Sequence, residues 1–256
     1  MTHDPNTLDT RPASGAAIPL AERLIVALDV PELDQARALV AALEGVASFF
    51  KVGPWLQLGQ GFDRFADELV GSGRKIFLDA KLCDIPETMK GGAQAAARRG
   101  VSLLTIHGNE EVSDAAMRAA VEGKAGSELK LVAVTVLTSL GAADLARAGA
   151  GASLEELVLR RAERALSCGC DGVIASGREA GAIKALAGTR PFLVVTPGIR
   201  PGGGGDDDQK RAVTPAEAIA AGADYLVVGR PIIRQPDPAA AARAILEEMR
   251  AALEGG

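Results

Sequence analysis

The strongest chemical signal in the chain is a set of charges at the ends of apolar runs. Asp79 and Lys81 stand two residues apart at the end of KIFLDAK (75–81). That spacing puts both side chains on one face of a strand. Asp29 closes LIVALD (24–29), and Lys51 lies in FFKVG (49–53). Asp84 follows just beyond the third run, ahead of Ile85, Pro86 and Thr88. If Phe77 shares the parity of Asp79 and Lys81, these charges converge on one interior. Unpaired buried charges cost several kcal/mol each, so they must pair with one another. They form either an inert Lys–Asp network or a network that works on a ligand. Strand-end carboxylates with no task are replaceable by apolar packing, which favours the second reading.

A second signal lies nearer the C-terminus. The run FLVVTPG (192–198) leads into Ile199, Arg200 and Pro201, then Gly202–Gly205, Asp206–Asp208, Gln209, Lys210 and Arg211. The run YLVVGR (225–230) ends in Gly229 and Arg230. Glycine lets backbone amides approach an anion, and arginine offers a bidentate fork. Together they read as a phosphate site, with the four-glycine run as a lid and Gln209 reaching the ligand. Asp206–Asp208 read as a solvent-facing tip.

These residues need a frame that brings strand ends together. Eight short apolar runs recur from Leu24 onward. Besides those already named, they are SLLTIHG (102–108), LKLVAVTVL (129–137) and DGVIAS (171–176). Amphipathic, Ala-rich stretches separate them, which reads as eight strands alternating with eight helices. The runs are apolar throughout, as parallel strands covered on their outer face by helices should be. Residues 1–22 are polar and aperiodic and read as a loose leader. Residues 23–256 then form one domain, close to the ~250 residues typical of a (β/α)8 TIM barrel. An open doubly wound sheet more often has fewer strands. In a barrel the chemistry sits at the C-terminal strand ends, where Asp29, Lys51, Asp79, Lys81, Asp84, His107, Thr138, Ser176, Thr196, Pro197, Gly198, Ile199, Arg200, Gly229 and Arg230 fall.

Composition narrows the partners. The 256 residues carry 28 Lys+Arg against 33 Asp+Glu, a formal net charge of -5. That balance disfavours nucleic acid, whose affinity comes mostly from cations on phosphates. One Trp, one Tyr and six Phe are too few for a base-stacking platform. No apolar run has the ~20 residues that span a bilayer, and no signal peptide is visible, so no membrane role is expected. Three cysteines make no disulfide framework, and with only two histidines a Cys/His zinc site is not expected. A reducing, cytoplasmic setting is expected. His107 reads as a structural histidine. Cys168 and Cys170 read as packing, and Cys83 is given no role.

The string Asp79-x-Lys81-x-x-Asp84-Ile85-Pro86-x-Thr88, with Asp29 and Lys51 upstream, resembles the orotidine 5′-phosphate decarboxylase family. So do Thr-Pro-Gly-Ile-Arg, Asp-Gln-Lys-Arg and Val-Gly-Arg-Pro downstream. The likeness runs from about Leu24 to the final helix. It implies conversion of orotidine 5′-phosphate to UMP and CO2, the last step of de novo pyrimidine synthesis, with no metal and no cofactor. It implies catalytic roles for Lys51, Asp79, Lys81 and Asp84. Asp29 and Lys51 would meet the ribose, Asp79 the substrate carboxylate, and Thr138 the pyrimidine. Pro197, Arg200, Gln209, Gly229 and Arg230 would surround the rest of the nucleotide, chiefly its phosphate. Asp84 and Thr88 would reach the neighbouring subunit's site, making a homodimer with shared active sites. Lys81, held between Asp79 and Asp84, would stay protonated and deliver its proton to C6 of the ring.

Two other readings compete. Metal-dependent sugar-phosphate lyases and decarboxylases of the same superfamily share D-x-K-x-x-D, but they place a carboxylate at the strand-two position to help hold Mg2+. Lys51 stands there in this chain, and an ammonium cannot ligate Mg2+. A non-catalytic barrel would be expected to have lost one of Asp79, Lys81 or Asp84.

Overall fold

In the computed structural model, residues 18–147, 151–202 and 211–255 are described. Eight parallel strands close in sequence order: β1 (Leu24–Ala27), β2 (Phe49–Val52), β3 (Lys75–Leu82), β4 (Leu103–His107), β5 (Lys130–Val134), β6 (Gly172–Ile174), β7 (Leu193–Thr196) and β8 (Tyr225–Val228). The last strand returns to the first, with Ile25 beside Val227. Every predicted run holds one of these strands, and the closed barrel is the architecture expected.

Twelve helical segments lie among the described residues. They are α1 (Leu20–Arg23), α2 (Leu33–Ala42), α3 (Pro54–Gln57), α4 (Phe62–Gly71), α5 (Pro86–Arg98), α6 (Asp114–Gly123), α7 (Ala142–Arg147), α8 (Leu154–Ser167), α9 (Gly177–Ala187), α10 (Pro215–Ala220), α11 (Arg230–Ile233) and α12 (Pro238–Glu254). Eight of them, α2, α4, α5, α6, α8, α9, α10 and α12, answer to the eight helices expected. The other four, α1, α3, α7 and α11, have four to six residues and were not read from the sequence. Residues 20–22, read from sequence as the end of the leader, lie in α1. Glu22 there pairs with Lys75 at the start of β3, at 2.6 Å.

Local signals set the helix starts. Ser153 with Glu156, Ser176 with Glu179, and Thr214 with Glu217 form capping boxes at α8, α9 and α10. Proline opens α5 and α12 at a position whose amide has no helical partner. Gly172 has a packing reason of its own. A Cβ there would lie 2.3 Å from the Leu193 carbonyl oxygen, so β6 meets β7 only without a side chain.

Strand alternation divides the core in two. Residues such as Leu24, Val26, Phe50, Val52 and Ile76 face the helices. Ile25, Ala27, Phe49, Phe77, Leu103, Val132, Val195 and Val227 fill the barrel. Phe49 and Tyr225 meet edge to face at 5.8 Å near its lower end. Phe77 thus has the interior parity that the charge argument required. The next inward positions toward the C-terminal mouth are Asp29, Lys51 and Asp79.

Candidate active site

The charges at the mouth form an alternating chain. Lys51 Nζ donates to Asp29 Oδ1 at 2.9 Å and stands 3.5 Å from Asp79 Oδ2. Lys81 Nζ donates to the other Asp79 oxygen at 2.8 Å. The Lys51 and Asp79 side chains are 13% and 10% exposed, so each needs its partners. Asp29 is about half exposed and faces the open end. Burial pushes the Asp79 carboxyl up. The Lys51 and Lys81 charges, with hydrogen bonds from Lys81 and Thr105, outweigh it and hold the group below its ordinary value of 3.8. Its contribution to stability is present above that ordinary value and is lost as pH falls through the lowered one.

A break in β3 aims Lys81. Leu78 pairs with Leu104 and Leu82 with Ile106, so β3 spends four residues where β4 spends two. Asp79, Ala80 and Lys81 bulge there, and bulges re-aim side chains beside active sites. Lys81 has φ +48°, the single positive φ outside glycine among the described residues. Such a conformation is strained and persists only when neighbours enforce it. Thr105 on β4 does so. Its hydroxyl accepts the Lys81 amide at 2.8 Å and donates to Asp79 Oδ1 at 3.0 Å. Thr105 was not singled out from sequence, because a threonine inside an apolar run looks like ordinary strand filler. Its only signal was parity with Leu103, two residues earlier.

Two connected lobes flank the charges. The first, about 440 Å³, is lined by Asp29, Lys51, Gly53, Trp55, Pro197, Gly198, Arg200, Gly229, Arg230 and Arg234. The second, about 220 Å³, is lined by Phe77, Asp79, Lys81, Val134, Val136, Leu137, Thr138, Ser139 and Ile174. Lys51, Pro197 and Val227 line both. The first lobe is cationic and suits an anion. The second is walled by apolar side chains and suits a flat ring, with Asp79 and Lys81 at its edge. Of the residues read from sequence, Asp29, Lys51, Asp79, Lys81, Thr138, Pro197, Arg200, Gly229 and Arg230 line these lobes. Gln209, the glycine run from residue 203 and Asp206–Asp208 lie outside the described residues. Trp55, Arg234 and Ser139 are lining residues that sequence reasoning passed over.

Asp84 and Thr88 stand apart. Lys81 pairs with Asp79 and not with Asp84 of its own chain, so the reading of a lysine between two carboxylates is not met within one subunit. Asp84 lies on the exposed surface and accepts the Ile85 amide at 2.7 Å. Ile85 is 67% exposed, and Thr88 is exposed on α5. Among the described residues no group of three or more His, Cys, Asp or Glu side chains could hold a metal ion. No helix there is long and apolar enough to cross a membrane. Cys83 is exposed, while Cys168 and Cys170 are buried, and burial pushes the Cys170 thiol up to about 12. An unreactive packed thiol follows, as its sequence position suggested.

His107, at the end of β4, is lowered from its ordinary 6.5, first by burial and then by the Lys81 charge. The folded state therefore takes up this proton less readily than the unfolded chain. Its effect on stability is absent above 6.5 and grows unfavourable as pH falls below it. With only two histidines in the chain, the titration is readable by NMR. In the Lys81→Met variant the His107 pKa should rise yet stay below 6.5, because burial remains. An unchanged value would mean that the ring does not sense Lys81.

Comparison with known proteins agrees with this geometry. A model of the orotidine 5′-phosphate decarboxylase / HUMPS family matches residues 22–245. The chain is 48% identical over 231 residues to the orotidine 5′-phosphate decarboxylase of Afipia carboxidovorans, covering 90% of this chain and 96% of that protein. It is 47% identical over 232 residues to the enzyme of that name from Nitrobacter winogradskyi, covering 91% and 94%. The crystal structure of orotidine 5′-phosphate decarboxylase from Lactobacillus acidophilus superposes with a TM-score of 0.76 at 36% identity, over 89% of this chain and 99% of that one. With the barrel, the strand-three charges and this extent of match, the chain belongs to the orotidine 5′-phosphate decarboxylase / HUMPS family.

Proposed function

We propose that this protein decarboxylates orotidine 5′-phosphate to UMP and CO2, without metal or cofactor, with Lys81 as the proton donor to C6. The observation that carries the reading is Lys51 between Asp29 and Asp79. An ammonium stands where metal-dependent relatives need a carboxylate, and it already pairs with the acids on either side of it.

The two lobes fit the two ends of the substrate. The phosphate would lie among Gly198, Arg200, Gly229 and Arg230, with Gln209 joining from its own segment. The ribose would meet Asp29 and Lys51. The pyrimidine would enter the apolar lobe beside Thr138, with C6 toward Lys81. Asp79, kept ionised by two lysines, would face the C6 carboxylate, and their repulsion is relieved when CO2 leaves. The C6–carboxylate bond breaks and its electron pair stays on C6. The Lys81 ammonium stabilises that charge and then gives it a proton. The neutral amine recovers its proton from solvent.

The exposed Asp84 and Thr88 support a homodimer in which these two residues complete the partner's site. The free thiols fit a reducing, cytoplasmic setting. Neither nucleic acid nor membrane is a partner in this reading.

Subunit mixing tests the donor and the shared site together. Lys81→Ala and Asp84→Ala homodimers should each be nearly inactive while melting cooperatively. A heterodimer would keep one intact site of two. Random exchange of equal amounts makes half the dimers mixed, so about a quarter of wild-type activity should return. No recovery despite demonstrated exchange would place Asp84 outside the partner's site. More than a few per cent of activity in Lys81→Ala would remove Lys81 as donor.

The phosphate assignment has its own test. Arg230→Ala should lower kcat/KM for orotidine 5′-phosphate by about 2–4 kcal/mol of transition-state binding. Orotidine, which lacks the phosphate, should lose little more on the same change. Equal loss for both substrates would show that Arg230 does not read the phosphate.

A further inference from the structure

Arg211 is a buried cation that the chemistry above leaves unused. Its side chain is 6% exposed, and Nη1 pairs with Glu179 Oε1 at 2.9 Å, itself equally buried. Nη2 donates to the carbonyls of Val136 at 2.9 Å and Leu137 at 3.1 Å. Those carbonyls lie past the end of β5, where the sheet no longer supplies donors. The Arg211 carbonyl accepts the Ser176 hydroxyl at 3.0 Å, and the Ser176 amide donates to the other oxygen of Glu179.

Two residues further on, the same segment is fixed to the opposite lobe. Val213 donates its amide to the Gly198 carbonyl at 3.3 Å and accepts the Arg200 amide at 2.9 Å. Gly177 gives it room, since a Cβ there would lie 2.7 Å from Val213 Cγ2. Residues 211–213 therefore touch both halves of the site. Val136, Leu137 and Thr138 wall the ring lobe, and Gly198 and Arg200 line the anion lobe.

A buried ion pair is a poor device for stability alone, because apolar packing of the same volume does as well. A rigid fork between two elements does transmit position. We propose that Arg211, held by Glu179, is a positioning residue that couples the anion lobe to the wall of the ring lobe. In this way phosphate contacts at Gly198–Arg200 help set the Val136–Thr138 wall for catalysis. This rests on the orotidine 5′-phosphate reading. It adds a residue that touches neither the phosphate nor the reacting carbon, yet governs how far binding energy at one end serves the other.

The test compares orotidine 5′-phosphate with orotidine for wild type, Arg211→Lys and Glu179→Gln. A purely structural residue would slow both substrates alike. Coupling instead affects the advantage that the phosphate confers. Arg211→Lys keeps the charge and loses the fork, and should lower kcat/KM for the phosphate ester about 30-fold while changing orotidine less than about threefold. Glu179→Gln keeps the shape and should move the ratio the same way by about fivefold, so it decides the matter if Arg211→Lys does not fold. Equal losses on both substrates, or no loss on either, would overturn the coupling. Wild-type protein that turns over neither substrate would instead overturn the functional reading on which it rests.

Discussion

Asp79 has to remain a carboxylate in a place that disfavours charge. Burial pushes its carboxyl up, and the charges of Lys51 on β2 and Lys81 on β3 itself outweigh that. Removing one partner of such a buried set leaves an uncompensated charge, which typically costs about 3–5 kcal/mol. The remainder of the mouth follows from this requirement. Lys51 on β2 lies level with Ala27 on β1, so Asp29 stands two residues nearer the mouth, where the long Lys51 side chain reaches it at 2.9 Å. Lys81 must bend back toward Asp79, and the β3 bulge and the Thr105 hydroxyl provide that.

The barrel serves this arrangement by separating two tasks. Its interior below Phe77 and Val227 is packed with apolar side chains and gives a rigid floor. Above that floor the inward positions turn polar and the strands splay into loops. A site can then be built from several strand ends at once, with an apolar lobe on one side and a cationic lobe on the other. Residues 211–213 belong to neither task alone, since their bonds run to both sides.

Much of this was legible in the sequence because a parallel strand buried on both faces has a simple signature. Apolar runs mark its length, and the first polar residue marks its mouth end. Asp29, Lys51, Asp79 and Lys81 were found in this way, and the parity of Phe77 gave the inward direction of Asp79. The bulge was not legible, since Lys81 reaches its face through a strained turn that the alternation rule does not describe. Thr105 was hidden by its resemblance to strand filler. Arg211 and Glu179 lie 32 residues apart, and nothing local announces that they meet. The helix α1 was not legible because four residues have no period to detect. Asp84 and Thr88 were recognisable as part of a motif, but within this chain both lie exposed while Lys81 pairs with Asp79.

The central claim is that a chain of alternating charges, with an ammonium in the metal-binding position, is enough for decarboxylation. The most direct measurement follows the absorbance of orotidine 5′-phosphate mixed with purified protein in excess EDTA. The account predicts loss of substrate and appearance of UMP at the same rate with and without the chelator. No turnover, or turnover abolished by EDTA and restored by Mg2+, would contradict it.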